Sequence, residues 1–412
     1  MVINDRVYDI AQECEERCRD IFSGLERISL MNTQKVLDAF QKEKVSESCF
    51  SGTTGYGYDD LGRETLEKIY ARVFGTEAAL VRPHFVNGTH AITAALFALC
   101  RPGEAILAAT GKPYDTLHHA IGITGEEFGS LRFYGIGYRQ VELLPDGQPD
   151  LPGIREALED PAIKAVTLQR SIGYSTRKAL SIEQIQSVCS AVKEKRKDVS
   201  IFVDNCYGEF TDVLEPTHVG ADLMAGSLIK NPGGGLAPTG GYIAGRADLV
   251  ERAAGRMTLP GIGGECGSTL GISRLLFQGF FMAPHVVMQA MKTAVFASAM
   301  MHLLGYDSHP RYDEKRSDII QRISLGSPEK MEAFCRGIQA GAPVDSFVSP
   351  VPAPMPGYDC DVIMAAGAFI QGSSIELSCD GPVRDPFCVY LQGGLTYESG
   401  KLGVMMAVSG ML

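Results

Sequence analysis

The chain has 412 residues, of which 45% are hydrophobic and 21% are charged. This composition is ordinary for a globular protein with enough core for two or three domains, and it excludes a disordered chain. The net charge of -11 argues against a nucleic-acid or anionic-membrane surface, because either would need clustered lysines and arginines. We therefore expect a small-molecule ligand.

The cysteines and the apolar segments indicate the compartment. Eleven cysteines are scattered without CxxC or zinc-ligand spacing, and a chain of this length does not depend on disulfides, so we interpret them as reduced core thiols. The N-terminal segment carries acidic residues throughout and lacks the apolar core of a signal peptide. The stretch 285–305 contains Gln289, Lys292 and His302, which favours a buried helix over a membrane span. These features predict a cytoplasmic protein.

The first two thirds of the chain predict a helical arm followed by an α/β unit. Residues 1–50 read as one or two helices that pack on another element. Within a large domain at 51–265, helical stretches alternate with short apolar runs, as in a parallel sheet with helices on both faces. The predicted strands are 78–84, 104–110, 139–144, 165–171, 200–206, 223–228 and 240–245, and the predicted helices are 63–74, 89–99, 114–121, 151–158 and 181–195.

Residues 266–412 predict a linking helix and a small α+β domain. The helical region 268–304 contains Pro284, so a kink or a break is expected there. Ser327-Pro328 begins a helix and Gly341 ends it. Strand-like runs follow at 361–369, 375–379 and 387–392. The expected fold is α/β, with a seven-stranded, mostly parallel sheet in the large domain.

An acid and a lysine stand out at the ends of predicted strands. Asp204 follows an apolar strand, where open α/β sheets bind ligands, and Lys230 comes one helix and one strand later. Pyridoxal 5′-phosphate (PLP) needs both groups: the carboxylate keeps the pyridine nitrogen protonated, and the lysine forms a Schiff base and then moves the Cα proton. Taken singly, Asp204 could be a surface acid and Lys230 a solvated loop charge. Their pairing favours PLP.

Further segments supply candidate groups for the phosphate and the ring. Ser227 precedes Lys230 by three residues, and the glycine run 233–235 follows it, so a hydroxyl and a closely approaching backbone are available. Gly88 and Thr89 open an apolar helix whose N-terminus can bind phosphate, although Asn87 or Thr89 could equally be only an N-cap. Tyr114 follows another strand, where it could stack on the cofactor and donate a proton, or be a core tyrosine.

No pattern of histidines predicts a metal site, since none of the eight falls in a ligand motif and His118 and His119 point to different faces of a helix.

The motifs together resemble a known family, the cystathionine and methionine lyases of the Cys/Met-metabolism group of PLP enzymes, and within it the methionine γ-lyase-like or aluminium-resistance-type branch. The resemblance covers most of the chain. It is carried by GYGYDDLGRETLEKIYARVFG, NGTHA, KPYDTL, QRSIGYSTRKALSI, FVDNCYGEF, SLIKNPGGGLAPTGGYIAG and ELSCDGPVRDPFCVYLQGGLTYE.

The resemblance implies a PLP-dependent transferase fold of type I, the aspartate aminotransferase-like fold, in a homodimer or homotetramer with active sites shared between subunits. It implies Lys230 as the Schiff-base lysine, Asp204 as the pyridinium partner and Tyr114 on the ring. Gly88, Thr89 and Ser227 would hold the phosphate, joined by Tyr56 or Tyr58 of a neighbouring subunit. The segment after Tyr56 lacks the arginine that the better-known lyases place two residues after this tyrosine.

An amino-acid substrate also needs an arginine for its carboxylate. The resemblance places that arginine in the small domain, which makes Arg384 the first candidate, with Arg177 and Arg170 as alternatives. The expected activity is β- or γ-elimination from a sulfur-containing amino acid such as methionine or cystathionine. An aminotransferase, a non-catalytic protein with this fold and a phosphate-binding enzyme without PLP are the alternatives.

Overall fold

A computed structural model of the chain describes residues 3–125, 128–355, 358 and 360–412. The strands of its large sheet are β1 (Ala78–Arg82), β2 (Ala105–Ala108), β3 (Gly137–Gln140), β4 (Ile163–Gln169), β5 (Ser200–Asp204), β6 (Leu223–Ser227) and β7 (Gly241–Gly245). Their order in space is β1-β7-β6-β5-β4-β2-β3. Strands β3, β2, β4, β5 and β6 are mutually parallel, whereas β7 runs antiparallel to both neighbours.

This arrangement confirms the predicted seven-stranded, mostly parallel sheet. The central strands β5 and β6 are buried at every position, as expected of continuous apolar runs covered on both faces. The third strand begins two residues earlier than predicted, at Gly137, because this edge strand is half exposed and has no clear apolar pattern. The helix expected between Asp204 and Lys230 is only a 3-10 turn, Pro216–Val219.

Ten α-helices lie in the described part of the chain. They are α1 (Asp5–Lys42), α2 (Leu61–Val73), α3 (Gly88–Leu99), α4 (Leu117–Ile121), α5 (Leu151–Ala157), α6 (Ile182–Lys195), α7 (Ala247–Met257), α8 (Ser273–Leu303), α9 (Pro328–Ala340) and α10 (Tyr397–Met411). Helices α7 and α10 have no counterpart in the predicted elements.

The long helix α8 runs through Pro284 without a break, so of the predicted kink or break, the break is wrong. Helix α1 packs along α8, and Ser29 donates a hydrogen bond to the Pro284 carbonyl at 3.1 Å. Proline removes only one backbone donor, and tertiary packing on both sides keeps the helix intact. Although α8 is long and apolar enough to cross a membrane, 72% of its most apolar window is buried inside the protein. The prediction of a buried helix is confirmed.

The C-terminal region contains a second sheet, ordered β10-β11-β12-β9-β8. Its strands are β8 (Ser308–His309), β9 (Gln321–Ser324), β10 (Val362–Ala365), β11 (Ser378–Pro382) and β12 (Cys388–Gln392). Helix α9 begins after the N-cap Ser327 and ends at Gly341, as predicted. β11 begins three residues later than the predicted run, because Ile375 and Leu377 are buried outside the ladder.

All eleven cysteines are free, and all but Cys266 and Cys360 are buried, which confirms their prediction as core thiols.

Candidate functional site

A cavity of about 140 Å³ opens at the carboxyl ends of the central strands. Asp204 is the last residue of β5, Ser227 is the last residue of β6, and Lys230 lies in the turn that follows β6. All three line this inner cavity. The two charged groups that the sequence singled out therefore converge at one sheet edge, because parallel strands end on the same side.

The Asp204 carboxyl group is buried in the wall of the inner cavity. It accepts a hydrogen bond from the backbone N–H of Cys206 at 3.1 Å, and no described lysine or arginine forms a salt bridge with it. Burial raises its pKa, although the Cys206 N–H and the charge of Lys230 act in the opposite direction. A carboxylate held this way favours a cationic partner from a ligand, such as a protonated ring nitrogen.

Gly88, Thr89 and Ser227 also line the inner cavity. Asn87 caps α3 by accepting from His90 N at 2.9 Å, so the N-cap interpretation is correct for Asn87. The first-turn N–H groups of Gly88 and Thr89 have no acceptor within the helix and remain available to an anion. A Cβ on Gly88 would lie only 2.9 Å from Ser227 Cβ, so glycine permits this close approach.

Tyr114 lines both the inner cavity and a larger outer cavity of about 490 Å³. Its hydroxyl is 2.7 Å from that of Tyr358, and Tyr174 packs against both rings. Burial raises the pKa of Tyr114 well above its ordinary value, so the phenol keeps its proton at neutral pH. Gly173 allows this packing, because its φ is +57° and a Cβ there would lie 3.0 Å from the Tyr114 ring.

Lys230 rests on an aromatic ring that the sequence did not single out. Its Nζ lies 3.9 Å from the centroid of Tyr207, in a cation–π arrangement. Burial by itself lowers the pKa of Lys230, but Tyr207, Cys206 and Asp204 outweigh that effect and raise it. Without a ligand, the amine is therefore held as an ammonium group.

Gln169 is a second wall residue that the sequence did not single out. Its side-chain oxygen is buried in a wall common to both cavities and has no hydrogen-bond partner among the described residues. A buried acceptor without a partner is available to a donor on a ligand or water.

The three candidate arginines have different surroundings. Arg384 and Arg177 both line the outer cavity. Arg384 is exposed on the loop after β11, and within the described residues its side chain forms no hydrogen bond or salt bridge. Arg170 is completely buried and pairs with Glu215 at 3.2 Å, away from both cavities. Arg170 therefore belongs to a structural ion pair, and its prediction as an alternative substrate residue is wrong.

Tyr56 and Tyr58 lie outside both cavities of their own chain. Their rings stack at a centroid distance of 5.7 Å, and they are 75% and 54% exposed. Both residues thus stay more than half exposed within one protomer. The structure thus does not bring them to Lys230 within one protomer.

The residues that sequence reasoning missed come mainly from loops and from the second sheet. Tyr207 lies three residues after Asp204, and Tyr174 lies in the segment after β4. Asp380 on β11 is buried beside Tyr174. Of these three residues, only Tyr207 and Tyr174 could have been recognised as site candidates from the sequence, because each follows the end of a strand.

Comparison with known proteins decides the family. A family model described as methionine gamma-lyase matches residues 7–412. The chain belongs to the methionine gamma-lyase family. This confirms the resemblance drawn from its motifs.

The chain is similar to other proteins over nearly its whole length. The chain is 52% identical over 403 residues to the uncharacterized protein YnbB of Bacillus subtilis, covering 98% of this chain and 96% of YnbB. It is 55% identical to a carbon-sulfur lyase involved in aluminum resistance from Clostridium novyi, with a TM-score of 0.96 over 100% of this chain and 97% of that one. YhfS from Escherichia coli, a pyridoxal-5′-phosphate dependent protein, shares the fold alone at 17% identity, with a TM-score of 0.62 covering 92% and 95% of the two chains.

Proposed function

We propose that this methionine gamma-lyase family member is a PLP-dependent carbon–sulfur lyase with the fold type I architecture, acting in the cytoplasm. The observation that carries the proposal is the single cavity lined by Asp204, Lys230, Ser227 and the start of α3. These groups match the three needs of PLP: a partner for the ring nitrogen, an amine for the aldehyde and donors for the phosphate. The C. novyi relative, whose printed name is a carbon-sulfur lyase, supports the reaction class.

The cofactor would be held from three sides. Lys230 would attach it covalently, Asp204 would accept from its ring N–H, and Gly88, Thr89 and Ser227 would donate to its phosphate. We propose that Tyr114 covers one face of the ring. PLP, when bound, withdraws electrons from the substrate Cα so that this carbon can lose its proton.

The residues of the chain then account for proton movement in an elimination. Lys230 would be the base that takes the Cα proton, and it would then be the ammonium group that its surroundings favour. Tyr114 carries its proton at neutral pH and can deliver it to the departing sulfur. The substrate carboxylate would bind to Arg384, with Arg177 as the alternative. With the uptake of one water molecule, the products would be a thiol, ammonia and a keto acid.

Cofactor attachment is tested by the visible spectrum of the purified protein and by borohydride reduction. Wild type is expected to absorb as a PLP protein and to yield a reduced adduct on the peptide that contains Lys230. Lys230→Ala should lose the adduct. Lys112→Ala is the matched control, because Lys112 lines only the outer cavity. A wild-type protein without a reducible adduct would falsify the central proposal.

The reaction class is tested separately by incubation with methionine, cystathionine or cysteine. The lyase should release a thiol and a keto acid without any added acceptor. A strict requirement for an added keto acid would instead identify an aminotransferase, which uses the same cofactor arrangement.

We also propose that the active unit is a homodimer, or a homotetramer made of two such dimers, in which Tyr56 or Tyr58 completes the phosphate site of the partner subunit. Their exposure and distance from their own cavity support this proposal. The test mixes two inactive chains, Lys230→Ala and a Tyr56→Phe/Tyr58→Phe double variant. Subunit exchange should restore part of the activity, since one mixed site is intact. If no mixture regains activity, each chain supplies its own complete site.

A further inference from the structure

A loop of the C-terminal region contacts the turn that carries Lys230. Ser373 and Ser374 lie in this loop, between β10 and β11, and both are buried. The Ser373 hydroxyl donates a hydrogen bond to the backbone carbonyl of Ile229 at 2.9 Å. The carbonyl of Ile229 and the N–H of Lys230 belong to one planar peptide group. The contact therefore restrains the backbone at Lys230 itself.

The second serine contacts the ring that lies beside the Lys230 amine. The Ser374 hydroxyl donates to the Tyr207 hydroxyl oxygen at 3.2 Å. The centroid of the same ring is 3.9 Å from Lys230 Nζ. Tyr207 has a φ of +69°, a backbone conformation that residues other than glycine rarely adopt unless their neighbours hold them in it. One loop therefore restrains both the backbone of Lys230 and the ring that its amine contacts.

The loop that carries the two serines, residues 369–376, is itself held closed by a carboxylate. The two side-chain oxygens of Glu376, which is buried, accept from Phe369 N at 2.7 Å and from Ile370 N at 2.8 Å. Ser373 N also donates to the Ile370 carbonyl at 2.9 Å. These bonds fix the loop from within, so it meets the Lys230 turn as a preformed unit.

The serines stand behind the wall of the site. Ile229, Tyr207 and Lys230 all line the inner cavity, whereas Ser373 and Ser374 line neither the inner nor the outer cavity. A ligand in the inner cavity therefore meets the serines only through the three residues that they support.

We propose that Ser373 and Ser374 are positioning residues that keep the Lys230 amine in place at the wall of the inner cavity. Ser373 acts on the backbone next to Lys230, and Ser374 acts through the Tyr207 hydroxyl. The C-terminal region thus takes part in cofactor attachment, although none of its described residues lines the inner cavity. The inference rests on the proposed function in taking Lys230 as the residue that attaches PLP.

The first test is a double-mutant cycle on the affinity of the full-length, cofactor-free chain for PLP, measured by spectrophotometric titration. Ser374→Ala and Tyr207→Phe remove the two ends of one hydrogen bond, so each should weaken binding about threefold or more. The double variant should bind no more weakly than the weaker single variant, because no second bond is left to remove. Ser373→Ala should weaken binding by the same factor in wild type and in Tyr207→Phe, since it acts on the backbone.

Ser378→Ala is the matched control for this cycle. Ser378 is also a buried serine of the C-terminal region, but its hydroxyl has no hydrogen-bond partner among the described residues. This variant should bind PLP as wild type does. Wild-type affinity in Ser374→Ala, or effects of Ser374→Ala and Tyr207→Phe that multiply in the double variant, would overturn the role of Ser374.

The second test needs no PLP and follows acylation of the cofactor-free chain by acetic anhydride. Mass spectrometry gives the rate at Lys230 relative to that at the exposed Lys112 in the same sample. Ser373→Ala and Ser374→Ala should each raise this ratio about twofold or more, because an amine that leaves the Tyr207 ring loses the contact that favours its unreactive ammonium form.

The ratio separates this inference from the proposed function. A wild-type ratio in both serine variants would overturn the positioning role. If the ratios rise as expected but wild type binds no PLP, the positioning role stands and the proposed function fails.

Discussion

Two arginines line the outer cavity, but their side chains are held in different ways. The Arg177 guanidinium donates to the backbone carbonyls of Gln169 at 2.8 Å and Lys178 at 2.9 Å, and also to that of Ser171. Arg384 has no such contacts among the described residues. We therefore expect Arg177 to hold the loop after β4 and Arg384 to be free to bind a carboxylate.

Replacing each arginine with methionine separates these two roles. Arg384→Met should raise KM for an amino-acid substrate about 30-fold or more, since a lost charged partner costs about 2 kcal/mol or more. Its thermal stability and its reducible adduct should stay unchanged. Arg177→Met should instead lower the unfolding temperature. Steady-state kinetics and thermal unfolding distinguish the two variants. If Arg177→Met raised KM and Arg384→Met lowered the unfolding temperature, Arg177 would be the residue that binds the carboxylate.

At the scale of elements, the site depends on the loop between β4 and α6. This loop turns at Gly173, which lies against Tyr114 and Gln169, and it brings Tyr174 to the outer cavity. Arg177 ties the loop to the end of β4, and Ile172 N donates to the buried Asp318 at 3.1 Å. The conformation of this loop therefore determines the positions of Tyr114 and Tyr174.

Gly173→Ala tests this dependence. Position 173 has a positive φ, and a Cβ would lie 3.2 Å from Gln169 Nε2 as well as 3.0 Å from the Tyr114 ring. Gly103→Ala is the matched control, because its φ is +88° but no atom lies within 4 Å of the added Cβ. Both variants should lose about 1 kcal/mol of stability from backbone strain, whereas only Gly173→Ala should weaken PLP binding. Equal PLP affinities, measured by spectrophotometric titration, would contradict this expectation.

Across the whole molecule, several buried acids bind protons more tightly than usual. Burial raises the pKa of Glu209 to about 8, with repulsion from Glu215 adding to the effect, and Tyr242 donates to it at 2.8 Å. Burial also raises the pKa of Asp318 to about 6 and that of Asp380 to about 7. The folded chain therefore holds protons that the unfolded chain releases between about pH 4 and pH 8.

The contribution of these acids to the free energy of unfolding should accordingly fall as the pH rises through this window. The sign follows because each of these acids binds its proton more tightly in the native state than in the unfolded state, and one such group contributes a slope of up to about 1.4 kcal/mol per pH unit. Glu209→Gln keeps an acceptor for Tyr242 and should flatten the slope up to about pH 8. Glu251→Gln changes an exposed residue and serves as the control, so it should leave the slope unchanged. Denaturant unfolding at several pH values checks this, and equal slopes in both variants would rule it out.

The sequence by itself determined the seven-stranded sheet and the strand-end positions of Asp204, Ser227 and Lys230. These features follow from local patterns: apolar runs, the residues after them, and glycines and caps at helix ends. Parallel strands then bring such ends together without further information. The bounds of the edge strand β3, the two-residue β8 and the unbroken α8 escaped this reasoning, since their local signals are weak or were overridden by packing.

Only the tertiary structure decided which side chains surround Lys230. Tyr207 beneath its amine and Asp380 behind Tyr174 come from separate segments, and Asp380 belongs to a different sheet. The structure likewise distinguished Arg170, in a buried ion pair, from Arg177 and Arg384 at the outer cavity. Contacts between residues far apart in sequence depend on how the two sheets pack, and no local pattern of residues encodes that packing.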